Sequence, residues 1–237
     1  APDGKSVVYW GERPDGSLAL YLVAATGDPQ SAVVLDEFVP GVRLRGADIS
    51  ADGRTLVYSL GNNMRTYAEL RSVDLTASSP SPVSLRPADV DGGSAAAFQI
   101  APQSDRVVYQ DPHDGGLRVV PIAGPAAEAR FLAPSVAGLI ITESSWWIAA
   151  DGAYVVYEAY DPSSGSSVLW SVPLDGSPAA GWQLVAATNL IYVLPLDQGD
   201  RHVLYLTGRD GADGAQLFSV TVDLAAQEPA LLAEAVT

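Results

Sequence analysis

The sequence predicts an all-β protein, a β-propeller of five four-stranded blades. Two β-branched or leucine residues followed by a tyrosine recur along the chain, first as Val7-Val8-Tyr9. The tyrosines are spaced by 49, 51, 48 and 48 residues. Turn signals recur in each copy, and no helical period of useful length is present, so a helical solenoid or an α/β fold has little support. A period near 50 residues is typical of propeller blades, whereas a sandwich of separate hairpins does not explain five registers of one tyrosine. The five repeat tyrosines are Tyr9, Tyr58, Tyr109, Tyr157 and Tyr205.

The first, innermost strand of each blade is predicted from apolar residues eleven and nine positions before the tyrosine. A tight turn follows, and its Asp-Gly dipeptide at 3–4, 52–53 and 151–152 is typical of a two-residue hairpin with positive φ at glycine. Residues 103–105 and 198–200 are diverged versions of this turn. The inner-strand pairs are Ala47 with Ile49, Phe98 with Ile100, Trp146 with Ile148, and Leu194 with Leu196.

Two further strands complete each predicted blade. The third strand aligns on a leucine, at Leu20, Leu70, Leu117, Leu169 and Leu217. Gly, Pro, Ser or Asp residues then mark a turn, and a short outer strand follows at 33–35, 83–85, 130–132, 183–185 and 231–232. We therefore predict a single domain, 1–237, with repeats at approximately 1–41, 42–92, 93–138, 139–187 and 188–237.

The first copy begins at its turn, so its inner strand would have to precede Ala1. We expect either a first blade of three strands or a chain that is a fragment of a longer protein. The opening residues, Ala1-Pro2-Asp3-Gly4, have neither Met nor a signal-like segment and are typical of a trimmed or processed product. An unpaired apolar strand edge at the first blade would follow.

The charge balance narrows the choice of partners. Against 13 basic residues stand 28 acidic ones, a net charge of −15, which repels phosphate backbones. We expect no nucleic-acid partner. No apolar run approaches the 18 or so residues of a membrane span, so no membrane insertion is expected. The chain has no cysteine, which excludes disulfides, thiolate metal sites and a cysteine nucleophile. Its oligomeric state stays open.

One repeat matches a known pattern closely. The segment Ile49-Ser50-Ala51-Asp52-Gly53-Arg54-Thr55-Leu56-Val57-Tyr58, followed by Leu70-Arg71-Ser72-Val73-Asp74-Leu75, resembles the TolB-type (WD-like) propeller repeat. Residues 146–157 are similar to the same pattern. The resemblance implies a propeller fold for nearly the whole chain. The family includes periplasmic protein-binding components and propeller domains of prolyl-oligopeptidase-like peptidases, so it implies no single function. This chain differs from TolB itself, because it shows five copies of the repeat and no separate N-terminal domain.

The sequence contains no close match to a known catalytic motif. His113 and His202 are the only histidines, and both are predicted to be surface residues rather than catalytic bases. Gly92-Gly93-Ser94-Ala95-Ala96 is the nearest match to a nucleophile elbow, but no helix follows it. Three carboxylate pairs, Asp89 with Asp91, Asp111 with Asp114, and Asp210 with Asp213, could hold Ca²⁺, although Asp is also an ordinary turn residue. We predict no enzyme activity and no required cofactor.

Binding is predicted on one face, formed by the loops that join second to third strands and successive blades, because loops on a rigid scaffold commonly carry function. Trp10, Tyr67, Tyr160 and Trp182 are aromatic residues that could be exposed. The candidate binding residues are Asn62, Asn63, Arg65, Tyr67, Asp111, His113, Asp114, Tyr160, Asp161, Arg209, Asp210 and Asp213.

The predicted function is therefore a non-catalytic, protein-binding or scaffold propeller, periplasmic or secreted, with a protein or peptide partner that is basic or mixed in charge. Two alternatives stay open. One is the detached gating propeller of a prolyl-oligopeptidase-like serine peptidase, and the other is a propeller that binds a small molecule or glycan, with or without Ca²⁺.

Overall fold

The computed structural model describes residues 1–27, 29–62, 68–89, 97–133, 139–141, 145–175, 182–188, 190–195, 202–208, 216–222 and 230–234. Within these ranges the chain forms β-strands and two single-turn 3₁₀ helices, Pro29–Ser31 and Ala126–Glu128. The predicted all-β class is confirmed. None of the helices in the described ranges is long and apolar enough to cross a membrane.

The strands form five antiparallel sheets, one in each predicted repeat. The first sheet has three strands, β1 (Ser6–Glu12), β2 (Leu18–Ala24) and β3 (Val33–Phe38). The second contains β4 (Val42–Ile49), β5 (Thr55–Asn62), β6 (Ala68–Asp74) and β7 (Val83–Asp89). The third contains β8 (Phe98–Ile100), β9 (Arg106–Gln110), β10 (Leu117–Pro121) and β11 (Arg130–Ala133). The fourth contains β12 (Trp146–Ile148), β13 (Tyr154–Asp161), β14 (Ser166–Pro173) and β15 (Trp182–Thr188). The fifth contains β16 (Leu190–Pro195), β17 (His202–Thr207), β18 (Gln216–Thr221) and β19 (Ala230–Glu234).

The repeat tyrosines occupy the predicted position. Tyr58, Tyr109, Tyr157 and Tyr205 lie on the strand that pairs with the inner strand of their sheet. Three of the repeat tyrosines also face an aromatic residue across the strand pair, and the rings stack in Tyr9–Tyr21, Tyr157–Trp170 and Tyr205–Phe218. Cross-strand aromatic pairs of this kind stabilise antiparallel sheets.

The inner-strand register is confirmed in three sheets and shifted in the fifth. Ala47, Phe98 and Trp146 pair with the repeat tyrosines, as the eleven-residue offset predicts. In the fifth sheet Val193 pairs with Tyr205, and Leu194 pairs with the neighbouring residue. The predicted alignment of Leu194 was wrong by one residue, because the connection to β17 is one residue longer there. Leu196 lies outside the described residues.

The turn after the inner strand has positive φ where it was predicted, at Gly4, Gly53 and Gly152. Its length differs from the prediction. The amide of Ser50 donates to the carbonyl of Thr55, so residues 51–54 form a four-residue loop rather than a two-residue hairpin. In the diverged turn at 103–105, Ser104 has φ of 62° and takes the place of glycine.

Backbone contacts divide the chain into two compact units, residues 1–113 with 119–130, and residues 114–118 with 131–237. In the first unit, both faces of the second sheet are covered. Leu56 and Tyr58 pack in one buried cluster with Leu20 of the first sheet, whereas Val57 packs in another with Val107 of the third. Sheets that stack in this way explain strands that are apolar on both faces. The assignment of all 237 residues to a single domain stays a prediction.

The second unit has its own buried cluster. Val156 and Leu169 of the fourth sheet pack there against Val203 and Tyr205 of the fifth. The same stacking of neighbouring sheets therefore occurs in each unit.

Candidate functional site

The structure places the predicted binding loops between second and third strands. Asn62 ends β5, residues 111–116 join β9 to β10, and Asp161 ends β13 before the turn into β14. Six of the predicted binding residues lie outside the described residues: Asn63, Arg65, Tyr67, Arg209, Asp210 and Asp213. The described candidates divide between the two units, with Asn62, Asp111 and His113 in the first and Asp114, Tyr160 and Asp161 in the second.

Asp111 is held within the first unit by an ion pair. Its Oδ1 accepts a hydrogen bond from the guanidinium of Arg86 on β7 at 3.3 Å and from the backbone N–H of His113 at 3.1 Å. Arg86 is buried, and the Asp111 side chain is nearly so. The pair joins the outer strand of the second sheet to the loop of the third, so Asp111 has a clear structural role. The backbone of His113 is fixed by this contact, and the residue is exposed.

Asp114 orders its own loop in the second unit. Its Oδ1 accepts from the backbone N–H of Gly116 at 2.9 Å, and its Oδ2 accepts from Arg118 at 2.6 Å. The Arg118 guanidinium carbon lies 3.8 Å from the centre of the Phe131 ring. Phe131 itself is 46% exposed, so this cation–π contact lies near the protein surface.

Asp161 is bound by the serines that follow it. Its carboxylate accepts from the N–H and hydroxyl of Ser163 at 2.8 and 2.7 Å, and from the hydroxyl of Ser164 at 2.8 Å. The side-chain hydrogen bonds from these serines lower the pKa of Asp161 to about 2. Tyr160 precedes it with 38% of its surface exposed. Its backbone forms an antiparallel bridge with Ile140, which is also exposed.

Each described carboxylate of the predicted face therefore accepts a hydrogen bond from a backbone N–H group of its own loop. Asp111 and Asp114, which could have shared a Ca²⁺, bind different arginines. Among the described residues, His, Cys, Asp and Glu side chains form no group of three that could hold a metal ion. The Asp89 side chain, Asp91, and the pair Asp210 with Asp213 fall outside the description.

The histidines lie where they were predicted. His202 opens β17, His113 lies in a loop, and both are exposed. The serine-containing segment 92–96 lies outside the described residues. Of the aromatic residues that could be exposed, Trp10 and Tyr160 are exposed, whereas Tyr67 and the Trp182 side chain are not described.

The sequence did not reveal a partly buried polar network in the first unit. The Tyr58 hydroxyl donates to Asp36 Oδ2 at 2.6 Å, and Arg71 bridges Asp36 at 2.8 Å and Glu69 at 2.8 Å. Burial, and then the hydrogen bond to Asp36, raise the pKa of Tyr58. One signal was available. Arg71 pairs with the repeat tyrosine at the position where three other sheets have an aromatic residue. The network joins the first two sheets and marks no reactive centre.

No protein-family model matches the chain, and no curated protein matches its sequence. Solved structures do match. One from a study of two prolyl endopeptidases is 18% identical with a TM-score of 0.59, and the match covers 99% of this chain and 34% of that one. Oligopeptidase B from Leishmania major is 14% identical with a TM-score of 0.63, over 95% of this chain and 32% of that one. The chain thus spans about a third of the length of these peptidases, and the matched part is their β-propeller domain.

A lyase also matches. An oligogalacturonate lyase in complex with manganese is 13% identical with a TM-score of 0.57, and the match covers 92% of this chain and 72% of that one. At these identities the likeness concerns the fold alone. Because peptidases and a lyase both match the chain, the fold does not select either chemistry.

Proposed function

We propose that the five sheets are blades of one β-propeller that binds a polypeptide partner and has no catalytic activity of its own. This proposal rests on the loops between the second and third strands. In the described loops, carboxylates are fixed by local hydrogen bonds, while Tyr160 and His113 are presented to solvent. Exposed aromatic residues on rigid loops are the usual anchors of protein interfaces.

The charge of the chain favours a basic or mixed partner. A net charge of −15 attracts basic peptides and repels nucleic acid. Our proposal needs no cofactor. By its TolB-type repeat pattern we place the protein outside the cytoplasm, in the periplasm or as a secreted protein.

The proposal is tested with sets of basic, acidic and neutral peptides, measured by fluorescence anisotropy at low and high salt. We expect binding of basic peptides that weakens with salt, and we expect Tyr160→Ala to lower affinity roughly tenfold. Arg54→Ala, an exposed substitution in a turn between first and second strands, is the control and should leave affinity unchanged. Mass spectrometry of the same mixtures should show intact peptides.

Three outcomes would contradict the proposal. These are the absence of binding by any peptide set, equal losses in the Tyr160 and Arg54 variants, and cleavage of the peptides by the purified chain.

A second candidate is the gating propeller of a prolyl-oligopeptidase-like serine peptidase. The match to about a third of several such peptidases favours it, since their propeller accounts for the matched part. It is tested on the natural protein in its source cells with a serine-reactive phosphonate probe. A labelled product longer than 237 residues that contains this sequence supports the candidate, and an unlabelled product excludes it.

A further inference from the structure

An aliphatic and an aromatic side chain lie side by side, both exposed, at one end of the fourth sheet. Ile140 and Tyr160 exchange both of their backbone hydrogen bonds, at 2.8 and 2.9 Å. In an antiparallel pair of this kind the two side chains lie opposite each other on one face of the sheet. Ile140 is 49% exposed and Tyr160 is 38% exposed. Their chain neighbours Ile141 and Ala159, which point to the other face, are buried.

A fixed carboxylate belongs to the same face. Glu158 lies two residues before Tyr160 on β13, so the two side chains point the same way. Ser167, which pairs with Tyr160 and is buried, donates its hydroxyl to Glu158 Oε1. The backbone N–H of Glu158 donates to the carbonyl of Ser145 at 2.8 Å. The Glu158 side chain is therefore held in place, and it stays partly exposed.

This carboxylate stands at the boundary between core and solvent. Val156 lies two residues before it on the same face, and Leu169 lies opposite it on β14. Both are buried against Val203 and Tyr205 of the fifth sheet, within the second unit. The groups at this end of the sheet thus rest on a packed core, which positions a binding site more precisely than a loop does.

The same unit shows what such a combination of groups binds. The Arg118 guanidinium bonds to the Asp114 carboxylate at 2.6 Å, and its central carbon lies 3.8 Å from the centre of the Phe131 ring. Glu158 and Tyr160 offer the same two groups, a carboxylate and an aromatic ring. In the described part of the chain, however, no arginine or lysine forms an ion pair with Glu158.

We propose that Ile140, Glu158 and Tyr160 form a subsite for an arginine side chain of the polypeptide partner. The guanidinium donates charge-assisted hydrogen bonds to Glu158 and lies against the Tyr160 ring, while the aliphatic stem packs on Ile140. A planar, weakly hydrated guanidinium suits this combination better than the compact, strongly hydrated ammonium of lysine. The inference names the group that is recognised, and it rests on the proposed function for the partner that supplies it.

The test uses N-acetylarginine amide as the probe and follows backbone amide signals by NMR. We expect saturable shifts at Ile140 and at residues 158–160, weaker binding of N-acetyllysine amide, and none of N-acetylcitrulline amide, which has a similar shape but no charge. Glu158→Gln keeps an acceptor for Ser167 and should weaken binding roughly tenfold. Glu128→Gln is the matched control, because it removes the same charge from an exposed glutamate in the connection between β10 and β11.

Tyr160→Leu is the second variant if Glu158→Gln lowers the melting temperature. It keeps an apolar side chain and should remove the preference for arginine over lysine. The subsite would be overturned by equal shifts with the arginine and citrulline probes, by the absence of saturable shifts, or by equal losses in the Glu158 and Glu128 variants.

The basic peptides of the binding test separate this inference from the proposed function. Peptides that bind equally well after every arginine is replaced by citrulline would overturn the subsite and leave the peptide-binding function in place. Saturable binding of N-acetylarginine amide together with no binding of any peptide would contradict the peptide-binding function and support the subsite.

Discussion

The first and fourth sheets contain the same three residues, Val-Val-Tyr, on strands of similar position, yet they bury them differently. Val155 and Val156 of β13 are fully buried, and β12 pairs with their strand. Val7 on β1 keeps almost half of its surface in solvent. The comparison shows that the apolar motif does not create a core by itself. It is buried where its face packs against a neighbouring sheet, as Leu56 and Tyr58 do against Leu20 of the first sheet.

The largest expected difference concerns the valine two positions before the tyrosine. Val155→Ala should lower the free energy of unfolding by about 2 to 3 kcal/mol, because two buried methyl groups are lost and a cavity remains. Val7→Ala should change it by less than about 0.5 kcal/mol, since the side chain is already half exposed. Urea unfolding measures both values. Equal losses in the two variants would mean that β1 is covered in solution.

A smaller difference is expected at the tyrosine itself. Tyr58→Phe removes a hydroxyl that donates to the Asp36 carboxylate within a partly buried network, and should cost about 1.5 kcal/mol of unfolding free energy. Tyr9→Phe, at the equivalent exposed position, should cost less than about 0.5 kcal/mol. Thermal and urea unfolding of the two variants give the comparison. A Tyr58→Phe protein as stable as the parent would show that the network contributes nothing to joining the first two sheets.

The repeat pattern was sufficient to predict the strands, because each copy carries the same apolar residues at the same offsets. The register of the fifth sheet could not be obtained in this way, since one additional residue before β17 shifts Val193 into the place of Leu194. The repeat pattern also could not predict which side chains of neighbouring sheets contact each other. Asp36 reaches Tyr58 and Arg71 only after two sheets have stacked, and no sequence spacing specifies that contact.

The described candidate residues lie at or between second and third strands, as their sequence positions predict. Their gathering on one binding face stays a prediction. What the sequence did not predict is how the loop residues are used. Asp161 precedes two serines that bind its carboxylate, a local motif that could have been recognised as a turn. The partnership of Asp111 with Arg86 joins residues 25 positions apart and depends on the fold.

Amide hydrogen exchange, resolved by residue, tests most directly the claim that β1 pairs only with β2 among the described strands. In an antiparallel pair, successive residues point their N–H groups to opposite sides, so about half of the amides in Ser6–Glu12 should face the open edge and exchange rapidly. The amides of Val155, Val156 and Tyr157, which lie between two paired strands, should all be protected. Uniform protection along β1, equal to that of β13, would contradict the account.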